Sequence, residues 1–182
     1  IKLRKGLNIP MTGAPEPLIE QGPPIRSVAL LGNDYTDLKP RLLVEAGDHV
    51  ELGQPVFFDK RDIEVKFTAP GSGIVRSINR GARRALQSVI IDLDQAVHES
   101  APAKVIYPEF AGSDPDSLPR QTIRAGLCTS GLWTAFRTRP YCKVPQSDSS
   151  PQAIFVTAID TRPLAGNPAL IVNVSLASSD RD

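Results

Sequence analysis

Between Ile63 and Thr68 apolar and polar side chains alternate: Ile63, Val65 and Phe67 against Glu64, Lys66 and Thr68. That period of two is the mark of a strand with one face buried. Similar short runs recur on both sides, "SVALLG", "RLLVEAGDHVELGQPVFF", "GIVRSINRG" and "LQSVIIDLD", each closed by a glycine turn or a polar break. Together they predict an all-β module over residues 28–95. The residues before it, 1–27, carry Pro10, Pro15, Pro17, Pro23 and Pro24, which disfavour helix and predict an extended arm. From 96 to 118 the periodicity disappears and Pro102, Pro108, Gly112 and Pro115 accumulate, as in a surface connection between domains.

Beyond that linker the pattern changes. Ser117 is placed to cap a short helix, Pro119 falls at its first turn and Gly126 at its end. "AIFVTAID" at 153–160 is a mostly apolar run and predicts a strand covered on both faces, with "PALIVNVSL" at 168–176 as a second. A helix, a loop and buried strands over 119–182 are the opening of an α/β domain whose sheet these residues do not close. The chain is therefore expected to be the front part of a longer protein.

The stretch "GLWTAFRTRP" at 131–140 holds the single Trp of the chain and runs into Arg137, Thr138, Arg139 and Pro140. It admits three readings. A phosphate cradle needs closely packed glycines, whereas Gly126 and Gly131 are separated by four bulkier residues, and Leu132 and Trp133 stand where backbone should approach an anion. Alternatively, Trp133 and Phe136, at i and i+3, share one buried face of a short helix. As a third reading, they wall a flat apolar pocket, with Thr134, Arg137 or Thr138 donating at its edge to a carbonyl oxygen. Periodicity does not separate the last two.

Composition narrows the field of partners. The 21 Lys and Arg residues nearly balance 20 Asp and Glu, so a polyanion such as nucleic acid is not the expected partner. Cys128 and Cys142 have no neighbouring Cys or His at a metal-binding spacing and are expected to be reduced thiols. No apolar run reaches the ~20 residues of a membrane span, so work at a membrane would be peripheral. His49, in a turn, and His98, in a polar stretch, are expected to be solvated rather than catalytic.

The turns of the β module, Gly47-Asp48, Gly53-Gln54, Pro70-Gly71 and Gly73, lie between apolar residues at spacings that suit a compact barrel or sandwich. This string resembles the barrel-sandwich-hybrid domains of the biotinyl/lipoyl type. Carrier members of that group attach their cofactor to a lysine at a hairpin tip, and "FFDKRDIEV" puts Lys60 near such a tip. Counting back from Pro70, however, places Asp62 at the modified position, so the module is read as a scaffold, with a lipoyl-like carrier as an alternative.

The chain as a whole resembles the N-terminal portion of the A-subunit family of bacterial sodium-translocating NADH:quinone reductases. The resemblance rests on "KGLNIPMTGAPE", "VALLGNDY", "AGDHVELGQPVFFDK", "FTAPGSGIVRSINRGARRALQSVII", "SGLWTAFRTRP" with "CKVP", and "PQAIFVTAIDTRPLAGNP", in that order along the chain. It implies an α+β multidomain protein: a barrel-sandwich module followed by the start of a Rossmann-like α/β domain similar to the flavin-binding subunit of complex I and to the C subunit of Rnf. It further implies a peripheral subunit on the cytoplasmic face of a bacterial inner membrane, one of six in a complex that exports sodium. FMN, FAD, riboflavin and a 2Fe-2S centre are expected on the partner subunits and none on this chain, which is instead associated with ubiquinone. Where the flavin-binding relatives have a "GGAGFP"-like loop, this chain has Gly131 to Phe136, with Leu132, Trp133 and Thr134 occupying the room of a flavin phosphate. Two functions follow from the resemblance: ubiquinone binding at Trp133, Phe136, Arg137 and Thr138, or an assembly scaffold that docks on other subunits, with Arg137 and Arg139 pairing with acidic groups or lipid phosphates.

Overall fold

The structure, a computed structural model, describes residues 11–20, 22–94, 104–107, 112, 114–157, 160, 162, 164–170 and 172. It forms two compact units, one of Pro24–Ser150 and one of Ile1–Pro23 with Pro151–Asp182.

In the larger unit two antiparallel sheets form. Strands β1 (Ser27–Leu31), β3 (His49–Val50), β6 (Gly73–Arg80) and β7 (Leu86–Leu93) make one, in the order β1-β7-β6-β3. The other contains β2 (Pro40–Leu42), β4 (Pro55–Asp59) and β5 (Asp62–Thr68), in the order β2-β4-β5. Their apolar positions meet in one core: Val50, Val75, Val89 and Ile91 from the first sheet, Val56, Phe57, Val65 and Phe67 from the second. Phe57 stacks on Phe67 with centroids 4.7 Å apart, and Tyr35 meets the same Phe67 edge-on at 4.7 Å. Such paired rings add to what their burial contributes.

The alternation at 63–68 holds for Val65 and Phe67, which are buried, but fails for Ile63, which is exposed. Its cause is a register shift: Phe58 pairs with Lys66 while Asp59 pairs with Asp62, so residues 63–65 bulge out of the β4–β5 ladder.

A helix, α1 (Arg120–Thr129), lies against β5 and buries Gly126 and Cys128. Its ends differ from expectation. Ser117 is not the cap: it closes a short turn by donating its hydroxyl to the Asp114 carbonyl at 2.6 Å, and Pro119 takes the capping position. Gly126 does not stop the helix: it lies on the buried face, and the chain continues helical to Thr129. Gly131, with φ of 82°, provides the left-handed residue that ends it.

In the second unit the predicted strand at 153–160 does not form over its described part. Residues 153–157 have no regular structure, and Ile154, Phe155 and Val156 are 64, 91 and 85% exposed. A strand needs a neighbour for its backbone hydrogen bonds, and among the described residues no strand lies beside this run. At 168–176 the described residues, 168–170 and 172, are helical rather than extended. The reason is local: Asn167 Oδ1 accepts the Ala169 N–H at 3.0 Å, a capping bond, and Pro168 follows at the first helical position. His98 lies outside the described residues. His49 belongs to β3 instead of a turn, is exposed, and places Nε2 2.9 Å from Asp94 Oδ2.

Candidate functional site

The segment after α1 is built onto the β module by two ties, both through Thr68. Thr68, the last residue of β5, donates its hydroxyl to the Ser130 carbonyl at 3.2 Å. Its side chain also fills the space beside Gly131, where an added Cβ would lie 2.5 Å from Thr68 Oγ1. Glycine is thus required at 131 twice over, by its positive φ and by this approach. Residues Leu132–Ala135 then form one 3-10 turn, in which the Thr134 hydroxyl donates to the Gly131 carbonyl at 2.7 Å.

That turn brings Trp133 and Phe136 together, with ring centroids 5.4 Å apart and planes at 68°. Trp133 is only 9% exposed and belongs to the core cluster, and its Nε1–H donates to the Pro145 carbonyl at 2.9 Å. Phe136 keeps 36% of its surface in solvent, so the pair has a buried member and an open one. Arg137 folds back: it donates to the carbonyls of Thr134 and Phe136, and its guanidinium lies over the Tyr35 ring at 5.3 Å. The backbone of Thr138 pairs with that of Lys143, and its hydroxyl accepts the Lys143 N–H at 3.2 Å. Among the four residues expected at a ligand, Phe136 thus presents open apolar surface, while Trp133 Nε1, Arg137 Nη1 and the Thr138 hydroxyl oxygen already engage the protein.

Chain 143–150 returns across the hairpin and the helix. Ser147 donates its N–H and hydroxyl to the two carboxylate oxygens of Asp62, at 2.5 and 3.0 Å, and Arg124 donates to the Ser149 carbonyl at 3.2 Å. Asp62 is therefore an anchor for this return, a role that no local pattern reveals because Ser147 lies 85 residues away. Substituting Asp62→Ala is expected to lower stability by about 1–3 kcal/mol, since both bonds to a charged acceptor vanish and the Ser147 N–H is half-buried. Urea denaturation measures it, and a change near zero would contradict the anchor.

Between the return and the β module opens a cleft of about 70 Å³, lined among others by Tyr35, Phe67, Arg61, Asp62, Lys143 and Gln146. Small-molecule sites usually have ~300 Å³ or more, so the cleft has room for a few waters but not for a ring. Its rim is charged. The ammonium of Lys143, paired with Asp37, holds the Asp37 carboxyl below its ordinary range. Burial raises the pKa of Asp59, but hydrogen bonds from the Arg61 guanidinium and backbone outweigh this and leave it lowered. No local pattern marks Tyr35 and Asp37 as parts of this neighbourhood, because their partners Arg137 and Lys143 are remote in the chain, whereas Arg61 pairs with Asp59 two residues away. Behind it, Cys128 is a neutral thiol at physiological pH: burial, then the charges of Asp62 and Glu64, push it up to about 11.

Lys60 and Arg61 form the two-residue tip of the β4–β5 hairpin. Lys60 is exposed, and its N–H donates to the Lys39 carbonyl at 2.9 Å. Among the described residues no group of three or more His, Cys, Asp or Glu is placed to share a metal ion, and no helix is long and apolar enough to cross a membrane.

Comparison with known proteins agrees with this architecture. Residues 1–94 match the NqrA N-terminal barrel-sandwich hybrid domain, and residues 118–179 match the NqrA second alpha/beta domain. Among similar proteins, the A subunit of the Na(+)-translocating NADH-quinone reductase of Saccharophagus degradans is 51% identical over 178 residues, covering 98% of this chain and 38% of the relative. That of Rhodopirellula baltica is 52% identical over 171 residues, covering 94% of this chain and 37% of the relative. The Pseudomonas aeruginosa protein of the same name is 48% identical over 172 residues, with coverages of 94% and 37%. The chain thus spans less than two fifths of the length of these relatives. With both of its domains matched in order and at this identity, the chain belongs to the NqrA family, joining that family's N-terminal barrel-sandwich hybrid domain to its second alpha/beta domain.

Proposed function

We propose that this chain is a portion of the A subunit of a sodium-translocating NADH:ubiquinone oxidoreductase. It is peripheral, on the cytoplasmic face of the membrane, in a complex of six subunits, and contributes to ubiquinone binding and assembly. In this reading the flavins and the iron–sulfur centre reside on partner subunits, and the α/β part follows the Rossmann-like plan of complex I's flavin-binding subunit. The names of the relatives support the enzyme class.

The single observation that carries the quinone assignment is the Trp133–Phe136 pair, one ring held rigidly in the core and the other half open beside it. A flat quinone ring would stack on the open face of Phe136. Trp133 sets the orientation of that face without touching the ligand's polar atoms, and Arg137 and Thr138, engaged with backbone through Nη1 and the hydroxyl oxygen, would reach a quinone carbonyl with their remaining donors. In this reading the indole of the same loop takes up the room of a flavin phosphate.

Because Trp133 is the single tryptophan, its fluorescence reports on the loop directly. Titration with a short-tailed ubiquinone is expected to quench it saturably. Substituting Phe136→Ala is expected to weaken that binding about three- to tenfold, as loss of an aromatic pair of ~0.5–1.5 kcal/mol requires. Equal affinity in the variant removes Phe136 from the site.

The internal engagement of Arg137 and Thr138 also favours a second reading, an assembly scaffold without quinone contact. Absence of saturable quenching, together with retained binding to partner subunits, would decide for it.

A further inference from the structure

The two described sheets end on four outer strands, β1, β3, β2 and β5, and three of these are guarded. β3 is two residues long, β2 is three residues long and contains Pro40 and Arg41, and α1 packs against β5. Shortness, proline, charge and covering are how a sheet edge is kept from pairing with another chain. β1 has none of these guards. Its five residues, Ser-Val-Ala-Leu-Leu, carry no charge and no proline, and they pair with β7 without a register shift.

The bonding groups of this edge divide by parity. Leu93 N–H donates to the Arg26 carbonyl at 2.9 Å, in the same register that pairs Ser27 with Asp92. Bonded and non-bonded pairs alternate along an antiparallel ladder. Val28 and Leu30 therefore bond to β7, while Ser27, Ala29 and Leu31 turn their N–H and carbonyl groups away from it. All three are exposed, and among the described residues no other backbone group bonds to them.

This edge is complementary to a second copy of itself. A two-fold axis at Ala29 sets Ala29 against Ala29, Ser27 against Leu31 and Val28 against Leu30, so that the outward-turned residues all fall in bonded pairs. About six N–H···O bonds then close the edge. Val28 and Leu30, partly buried and packed on the core, meet their counterparts on the core side. On the other face Leu31, 45% exposed, comes diagonal to Ile25 of the second copy, 72% exposed. Within the strand no charge opposes a like charge. At its ends Arg26 stands opposite Gly32 of the second copy, close to the Asp34 that follows it. Arg26 and Asp34 are exposed, and among the described residues neither forms an ion pair.

We propose that β1 is the interface of a two-fold dimer of this chain, in which two β1-β7-β6-β3 sheets join edge to edge into one antiparallel sheet. Each copy has one such edge, so the pairing closes at two. Arg26 and Asp34 form an ion pair across each end, and the Ile25 and Leu31 side chains cover one another. A ladder this short buries less than the ~1,200 Å² of a stable complex, so the dimer is weak and forms as concentration rises. The proposal is independent of the quinone reading.

Sedimentation equilibrium of the full chain, from micromolar to millimolar concentration at low salt, is expected to show monomer and dimer in exchange. Ala29→Pro removes the N–H at the axis, a donor that the β1–β7 ladder does not use, and is expected to weaken the dimer about tenfold or more. Two further variants test the register. S27E/L31K sets opposite charges against each other on both sides of the axis, whereas S27K/L31K sets like charges there. The first is expected to dimerise about tenfold more tightly than the second. Because these two variants lose the same leucine and the same serine, their comparison decides the matter even where Ala29→Pro lowers the thermal midpoint. A chain that stays monomeric throughout would overturn the proposal and leave the edge to a different protein. Equal dimerisation by S27E/L31K and S27K/L31K would overturn it too, by placing the contact elsewhere.

Discussion

Replacing Trp133 with alanine is expected to lower stability by about 3–5 kcal/mol, the range for a large aromatic lost from a core. Three effects add. The indole leaves a void in the cluster it shares with Cys128 and the strand residues, the Pro145 carbonyl loses its donor at 2.9 Å, and Phe136 loses its edge-to-face neighbour. Trp133→Phe separates these contributions: it keeps an aromatic ring and forfeits chiefly the N–H bond, so about 1 kcal/mol is expected. Chemical denaturation followed by far-ultraviolet circular dichroism measures both. If Trp133→Ala unfolds at the same midpoint as the parent, the residue is not the keystone of this loop. Because the alanine variant disturbs the fold, Phe136→Ala is the cleaner variant for ubiquinone binding.

Gly73→Ala is expected to be comparably damaging, by about 3 kcal/mol or more, for a different reason. The new Cβ would sit 2.0 Å from the Asp92 carbonyl oxygen and 2.9 Å from Leu93 Cα, both backbone atoms. No side-chain rotation relieves such a clash; the strands must part. Gly73 pairs with Leu93 in β7 and with Val50 in β3, so the damage falls where β6 joins two neighbours at once. Faster amide exchange at those strand ends, with a lowered melting midpoint, is the expected result. A stability within about 1 kcal/mol of the parent would show that the approach of β6 to β7 is looser than these distances.

Local pattern made the β module legible. Alternation and turn residues act within a few positions of one another, and most strand positions obey them; Ile63 is exposed where a bulge set by pairing with β4 intervenes, and Leu31 and Ile74 also stand on exposed faces. The barrel-sandwich class followed from turn spacing and from resemblance, and the family match agrees with it. Less was legible at α1, where an intrinsic stop signal at Gly126 gave way to packing on β5. At 153–160 a composition suited to a covered strand was not enough, since extended backbone requires a neighbour that the described residues do not supply. At 168–170 capping by Asn167 outweighed apolar content.

For the loop at 131–138 the residues themselves identified the aromatic pair and the three readings, because i and i+3 spacing constrains both helical and pocket geometries. Which ring is buried, and whose carbonyl each donor meets, came from parts of the chain that no short-range pattern links: Thr68 from β5, Pro145 from the returning segment, Tyr35 from the turn after β1. Side-chain identity and neighbour spacing settle backbone preference, turn type and family membership. Burial and the commitment of each hydrogen bond arise only when distant segments are packed together, since those free energies depend on the partner that is finally met.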